Sequence, residues 1–278
     1  MKHFESTWNT QDNLSLFVQG WEPEPEPKAV ICLVHGLGEH SGRYAHVAET
    51  YTEAGYAVLS FDLRGHGKSG GQRGHTPSFE AFMQDIDLLF QEASQRYPAK
   101  PQFLYGHSLG GILVLNYALR RKPKLEGVIA TSSGLRTALE EQKSKVAFAK
   151  IAGSLLPSMS LVSGLDPAAI SRDPAVVEAY RQDALVHNKV TLGMAKALTE
   201  TISWAFAHAP EFALPLLLVH GSGDALAYPK GSQEFAKLVK GEVTLKIWEG
   251  LSHETHNEPE KAEVLAYNLG WMDSKVSA

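Results

Sequence analysis

Phe103-Leu-Tyr-Gly-His-Ser-Leu-Gly-Gly-Ile112 carries the strongest local signal in this 278-residue sequence. Gly106, Ser108 and Gly110 fill a G-x-S-x-G pattern. The short apolar run before it reads as a strand, and Ile112 to Leu119 after it read as a helix. A sharp turn from strand to helix holds a serine in a strained backbone conformation, with its Oγ exposed above the sheet edge. The two glycines are expected because a Cβ at either position collides with the neighbouring strand and helix. In that context Ser108 is a candidate nucleophile; the bland alternative is a Gly-rich αβ turn.

The rest of the chain repeats a strand, helix, strand rhythm from Ala29 onward. The strand candidates are Ala29–Val34, Tyr56–Asp62, Gln102–Tyr105, Gly127–Thr131, Pro215–Val219 and Val243–Trp248. Several are continuous apolar runs, as expected for parallel strands buried on both faces. Phe79, Phe82, Met83, Ile86, Leu89, Phe90 and Ala93 follow helical spacing, and Thr76-Pro77 offers an N-cap and a first-turn proline. Thr7 to Gln19 read as a hairpin around Asp12-Asn13, and Glu22-Pro-Glu-Pro-Glu-Pro27 as a stiff surface connector. The fold class expected is α/β, an open and mostly parallel doubly wound sheet. In such sheets chemistry collects at the carboxyl ends of the strands.

Between Ser133 and Glu211 no convincing strand appears, only helical pieces broken by Pro157, Gly164, Pro167 and Pro174. The reading is a helical cap spanning 135–211, inserted into a core made of 1–134 and 212–278. Its apolar segment Val146 to Leu156, with Phe148, Ile151, Leu155 and Leu156, has three readings. The simplest is a buried face of the cap; the others are an acyl-pocket lining and a contact with a membrane surface.

Composition removes several function classes. Apolar residues make up 44% and charged residues 21%, and the net charge of −5 argues against a nucleic-acid partner. The single cysteine, Cys32, sits in an apolar run and reads as buried core. No N-terminal h-region and no long apolar run is evident, so the default expectation is cytoplasmic, with peripheral contact with lipid left open. Gly67-Lys-Ser69 lacks the first glycine of a phosphate loop, where Asp62 stands, and H-E-x-x-H fails because position 257 is Asn257. No cofactor, metal or nucleotide is expected.

A serine nucleophile needs a base, an orienting acid and an oxyanion hole. In this architecture the order along the chain is Ser, Asp or Glu, His. Asp224 follows the strand Pro215–Val219 in His220-Gly-Ser-Gly-Asp224 and is the candidate acid; an Asx-turn residue is the alternative. His253 lies one loop beyond the last strand and is the candidate base among 12 histidines. His256 is its rival, three residues on, whereas His220 belongs to a strand end, where packing is the expected role. His35, His40, His46, His66 and His75 precede the nucleophile and are disfavoured by chain order. The oxyanion donors expected are the backbone N–H groups of Leu109 and Leu37, the latter freed to turn inward by Gly36 and Gly38.

His35-Gly-Leu-Gly-Glu-His-Ser-Gly-Arg-Tyr44, Asp62-Leu-Arg-Gly-His-Gly-Lys-Ser69, Gly106-His-Ser-Leu-Gly110 and Gly250-Leu-Ser-His253 together resemble segments of the α/β-hydrolase superfamily. Within it the sequence is similar to monoacylglycerol lipases and lysophospholipase-like serine hydrolases, from about Val30 to Trp271. The resemblance implies a serine esterase that cleaves monoacylglycerols, with an acyl tunnel formed by the cap and a small polar pocket for glycerol. Glu39, Arg43, Tyr180 and His256 match positions near that polar pocket; a surface ion pair or a packed tyrosine explains them nearly as well. Leu109 stands where many members have methionine, and Ala-Leu-Ala follows Asp224 where a β-branched residue is usual. Lysophospholipase or general carboxylesterase activity stays open, as does a non-catalytic ligand-binding protein. Acyl-chain length, oligomeric state and cap opening are not legible in the sequence.

Overall fold

The computed structural model describes residues 1–137 and 151–276. Ten strands and seven helices carry the argument. In chain order they are β1 (Lys2–Asn9), β2 (Ser15–Glu22), β3 (Ala29–Val34), α1 (Ala45–Glu53), β4 (Tyr56–Phe61), α2 (Phe79–Arg96), β5 (Gln102–His107), α3 (Leu109–Arg121) and β6 (Gly127–Thr131). β7 (Ser160–Val162), α4 (Pro174–Gln182), β8 (Lys189–Thr191) and α5 (Leu192–His208) follow. The chain then returns through β9 (Leu216–Gly221), α6 (Pro229–Leu238), β10 (Val243–Trp248) and α7 (Lys261–Val276).

Eight strands form one sheet in the order β1-β2-β4-β3-β5-β6-β9-β10. Only β2 runs against the others, antiparallel to both β1 and β4; from β4 to β10 all pairings are parallel. Every residue of β3, β4, β6 and β9 is buried, which is why these segments are apolar without alternation. Helices cover both faces, giving one core on the α2, α3 side and a second on the α1, α7 side. This is the α/β-hydrolase arrangement. Asn13, at φ 61, makes the tight turn between β1 and β2 that Asp12-Asn13 predicts.

Two local expectations are corrected. The N-cap of α2 is Ser78, whose hydroxyl accepts from the Ala81 amide, and Thr76 instead donates to the Ser78 carbonyl. Pro77 therefore lies outside the helix. The stretch between β6 and β9 is also not free of strands, because β7 and β8 pair antiparallel as a short ribbon. Three residues a side are too few to leave a periodic signal.

Val146 to Lys150, including Phe148, lie outside the described residues. Of the same apolar segment, Ile151, Leu155 and Leu156 are exposed, so the buried-face reading does not hold for them. Met159, Leu161 and Val162 extend the exposed apolar surface. The other end of the stretch between β6 and β9 is tied down: α5 places Met194 and Ala205 in the core beside α2 and α3. Among the described residues no helix is long and apolar enough to cross a membrane.

Candidate active site

Ser108 sits between β5 and α3 at φ 55 and ψ −111, a conformation that L-residues rarely adopt. The strain is held from several sides. The Ser108 amide donates to the Thr131 carbonyl at 2.9 Å, and its carbonyl accepts from Ile112 at 3.2 Å and Gly134 at 3.3 Å. The flanking glycines are sterically required. A Cβ on Gly106 would lie 2.3 Å from the Gly110 carbonyl oxygen, and one on Gly110 would lie 2.1 Å from that of Val34.

The amide of Leu109 opens α3, and the loop after β3 brings Leu37 close by. A Cβ on Gly36 would lie 3.2 Å from the Ser108 Cβ, so this loop runs directly against the serine. Neither the Leu37 nor the Leu109 N–H donates to an acceptor among the described residues. Two free amides beside one hydroxyl are what an oxyanion needs; one such donor is typically worth about 10²–10³ in turnover.

His253 Nδ1 donates to Asp224 Oδ2 at 2.7 Å, although 29 residues separate them. Asp224 is fixed in turn: its Oδ1 accepts from the Leu226 and Ala227 amides, both at 2.9 Å. Burial alone would raise the Asp224 carboxyl, but the His253 charge and hydrogen bonds from His220 and His253 hold it far below the usual carboxylate range. Burial pushes the His253 imidazole down; the Asp224 charge and hydrogen bond outweigh that and raise it. Ser108 and His253 line the same pocket, together with Gly36, Leu37, Glu39 and His107. Leu165, Pro167, Ile170 and Tyr180, from the stretch between β6 and β9, also line it, and Leu226 and Glu254 complete the wall. Its unfilled interior is ≈ 20 Å³, room for about one water molecule.

The four residues expected near a glycerol pocket separate into two groups. Glu39 and Tyr180 line the pocket, whereas Arg43 and His256 do not. Glu39 is 2% exposed and accepts from the Gly36 amide at 2.6 Å and the Tyr44 hydroxyl at 2.8 Å. Burial would raise this carboxyl, but the Arg43 charge leads the effects that hold it below its ordinary value. Glu39 thus stays an anion and pins the loop that carries Leu37. Arg43 bridges Glu39 at 2.7 Å and Glu254 through two 2.6 Å bonds, with its guanidinium 4.7 Å from the Tyr180 ring centre. His256 is fully buried, stacked 4.9 Å from Tyr44 and edge-on at 4.8 Å to His107. Neither of its ring nitrogens has a hydrogen-bond partner among the described residues, and burial, His46 and Arg43 hold its pKa well below an ordinary imidazole.

Sequence reasoning missed Glu254 and Tyr44, whose only local hint is that each adjoins a residue already singled out. It also left His220 as packing, yet His220 Nε2 lies 3.1 Å from Asp224 Oδ2. The remaining motif residues are structural. Asp62 accepts from the Ser41 amide and hydroxyl and from the Lys68 amide, and His35 Nε2 accepts from the Leu63 amide. Cys32 is buried and unpaired. Among the described residues no three His, Cys, Asp or Glu side chains are placed to hold a metal ion.

The family model Hydrolase_4, described as serine aminopeptidase, S33, matches residues 25–260. An uncharacterised abhydrolase domain-containing protein of Dictyostelium discoideum is 43% identical over 96% of the chain, which spans 28% of that protein's length. The monoacylglycerol lipase of Mycolicibacterium smegmatis is 38% identical, with 92% of each chain covered. The crystal structure of Paleococcus ferrophilus monoacylglycerol lipase superposes with a TM-score of 0.85 at 34% identity, covering 99% of this chain and 100% of the other.

Proposed function

The chain belongs to the Hydrolase_4 family, a carboxylic ester hydrolase of the α/β-hydrolase fold, and on that premise we propose that it cleaves monoacylglycerols to glycerol and free fatty acid. Ser108 Oγ attacks the ester carbonyl while His253 takes its proton. The Leu37 and Leu109 amides hold the oxyanion, and His253 returns the proton to the departing glycerol. Water then attacks the acyl-enzyme with His253 again as base, and Ser108 is released with the fatty acid. Asp224 keeps His253 in the tautomer whose Nε2 is free to accept, and stabilises the imidazolium that forms. The observation that carries this reading is the convergence of Ser108, the Asp224-bound His253 and two unengaged amides on one pocket.

Glu39 and Tyr180 give that pocket a polar edge beside Ser108, suited to a hydroxylated alcohol. Leu165, Ile170 and Leu226 line the same pocket and offer an acyl chain an apolar wall. The test compares kcat/KM for a monoacylglycerol and for the methyl ester of the same fatty acid. The two share acyl chain and chemistry, so the difference reports the alcohol site alone. A preference of at least tenfold for the glycerol ester, worth about 1.4 kcal/mol, is the expected result. Equal rates would reduce the assignment to a general carboxylesterase. A faster lysophospholipid would move it to that class.

The exposed Ile151, Leu155, Leu156, Met159 and Val162 form an apolar surface on the cap that we assign to transient contact with the lipid surface presenting the substrate. The protein is expected to sediment with phosphatidylcholine vesicles, and Leu155→Glu with Leu156→Glu should reduce the bound fraction at least fivefold. Equal sedimentation of parent and double variant would remove this role.

A further inference from the structure

His220 is the penultimate residue of β9, fully buried, and its ring meets polar groups at both nitrogens. Nε2 lies 2.8 Å from the Ala227 carbonyl oxygen, which can only accept, so Nε2 carries the hydrogen. The same N–H reaches Asp224 Oδ2 at 3.1 Å. Nδ1 lies 2.8 Å from the Ser232 hydroxyl on α6. Ser232 is itself fully buried and has no other hydrogen-bond partner among the described residues. That hydroxyl completes the ring's hydrogen bonding, so His220 is held at both of its nitrogens.

Asp224 thus accepts four N–H groups: two amides on Oδ1 and two imidazoles on Oδ2. The geometry around this carboxylate is set by close packing. A Cβ on Gly221, the residue after His220, would lie 2.1 Å from the Leu251 carbonyl oxygen, so the strand end abuts the loop that carries His253. We propose that His220 is a positioning residue for the triad, holding Asp224 Oδ2 through its Nε2–H so that this oxygen is aimed at His253 Nδ1. This inference rests on the assignment of Asp224 and His253 made above.

Its physical content has two parts. A carboxylate held at both oxygens cannot rotate about its Cβ–Cγ bond, so the direction of the His253 ring is inherited from His220 and Ser232. A further N–H on Oδ2 also makes the carboxylate less basic, so the proton stays on His253 when the imidazolium forms. His220 touches neither substrate nor reacting atoms.

Four proteins decide it: the parent, His220→Ala, His220→Gln and Ser232→Ala. In His220→Ala, kcat is expected to fall about 10- to 100-fold, the range of a hydrogen bond to a charged group, with KM near the parent value. The acidic limb of the pH profile of kcat/KM should be displaced, because the partner that sets the His253 proton affinity has changed. His220→Gln, which still offers an N–H at that end, should recover most of the rate and return the limb. Ser232→Ala leaves His220 in place but releases its Nδ1 end, so it should displace the limb even if His220→Ala does not fold. Unchanged kcat and limb in a folded His220→Ala variant would overturn the proposal. So would a glutamine variant as slow as alanine with the limb unmoved in both, which is the signature of packing alone. If instead the parent's turnover does not depend on Asp224, the triad assignment itself fails.

Discussion

Ser108→Ala is expected to lower kcat by roughly 10⁶, the loss found when the nucleophile of a serine–histidine pair is removed. The expectation rests on geometry specific to this position. Ser108 is held at φ 55 by amide and carbonyl bonds to Thr131, Ile112 and Gly134. The substitution removes one oxygen and leaves that frame, so protein stability and substrate affinity should change little. A fluorophosphonate probe provides the direct check: it should label the parent and fail on the variant. Retention of more than a tenth of the parent rate would exclude Ser108 as the nucleophile.

His253→Ala is expected to cost a similar factor, about 10⁶, and the informative comparison is with His256→Ala. Both are histidines of one loop, but their environments differ. His253 faces the Ser108 pocket and shares a 2.7 Å bond with Asp224. His256 is stacked behind it on Tyr44 and stays neutral. Removing His256 leaves a cavity and should lower stability by about 1–3 kcal/mol, with turnover reduced far less than in His253→Ala. The opposite ranking would transfer the base to His256. The pH profile gives an independent check. A base must be unprotonated to accept the serine proton, so activity falls on the acid side as His253 gains a proton. Asp224 raises the His253 pKa over the opposing effect of burial, so the acidic limb should lie above the ordinary imidazole value. A limb below it would mean that burial dominates and that the Asp224 charge is not felt.

Much of the fold was legible because its determinants are local. Ala29–Val34, Gly127–Thr131 and Val243–Trp248 occur as strands with the boundaries read from the apolar runs. The need for glycine at 106 and 110 follows from the crowding of any strand–turn–helix of this kind. The order Ser, Asp, His along parallel strands follows from topology. Where signals are short or compete, sequence reading failed. The β7–β8 ribbon spans three residues a side, and Ser78 took the cap of α2 from Thr76 because its hydroxyl is the one in reach of the Ala81 amide.

The amino-acid sequence by itself determined the α/β class, the six parallel strands of the main sheet and the three positions put forward as nucleophile, acid and base. Tertiary structure alone decided what surrounds them. Arg43 and Glu254 lie 211 residues apart, and their pairing locks Arg43 away from the pocket while Glu39 pins the Leu37 loop. Tyr180 comes to that pocket from α4, and His256 withdraws from it onto Tyr44. His220 was unremarkable until β9, α6 and the loop after it brought Asp224, Ala227 and Ser232 around one ring. Periodicity and turn chemistry are properties of a few neighbouring residues and survive in a linear reading. The partner of a buried charge or proton is chosen by packing across the whole chain, and only the folded molecule specifies it.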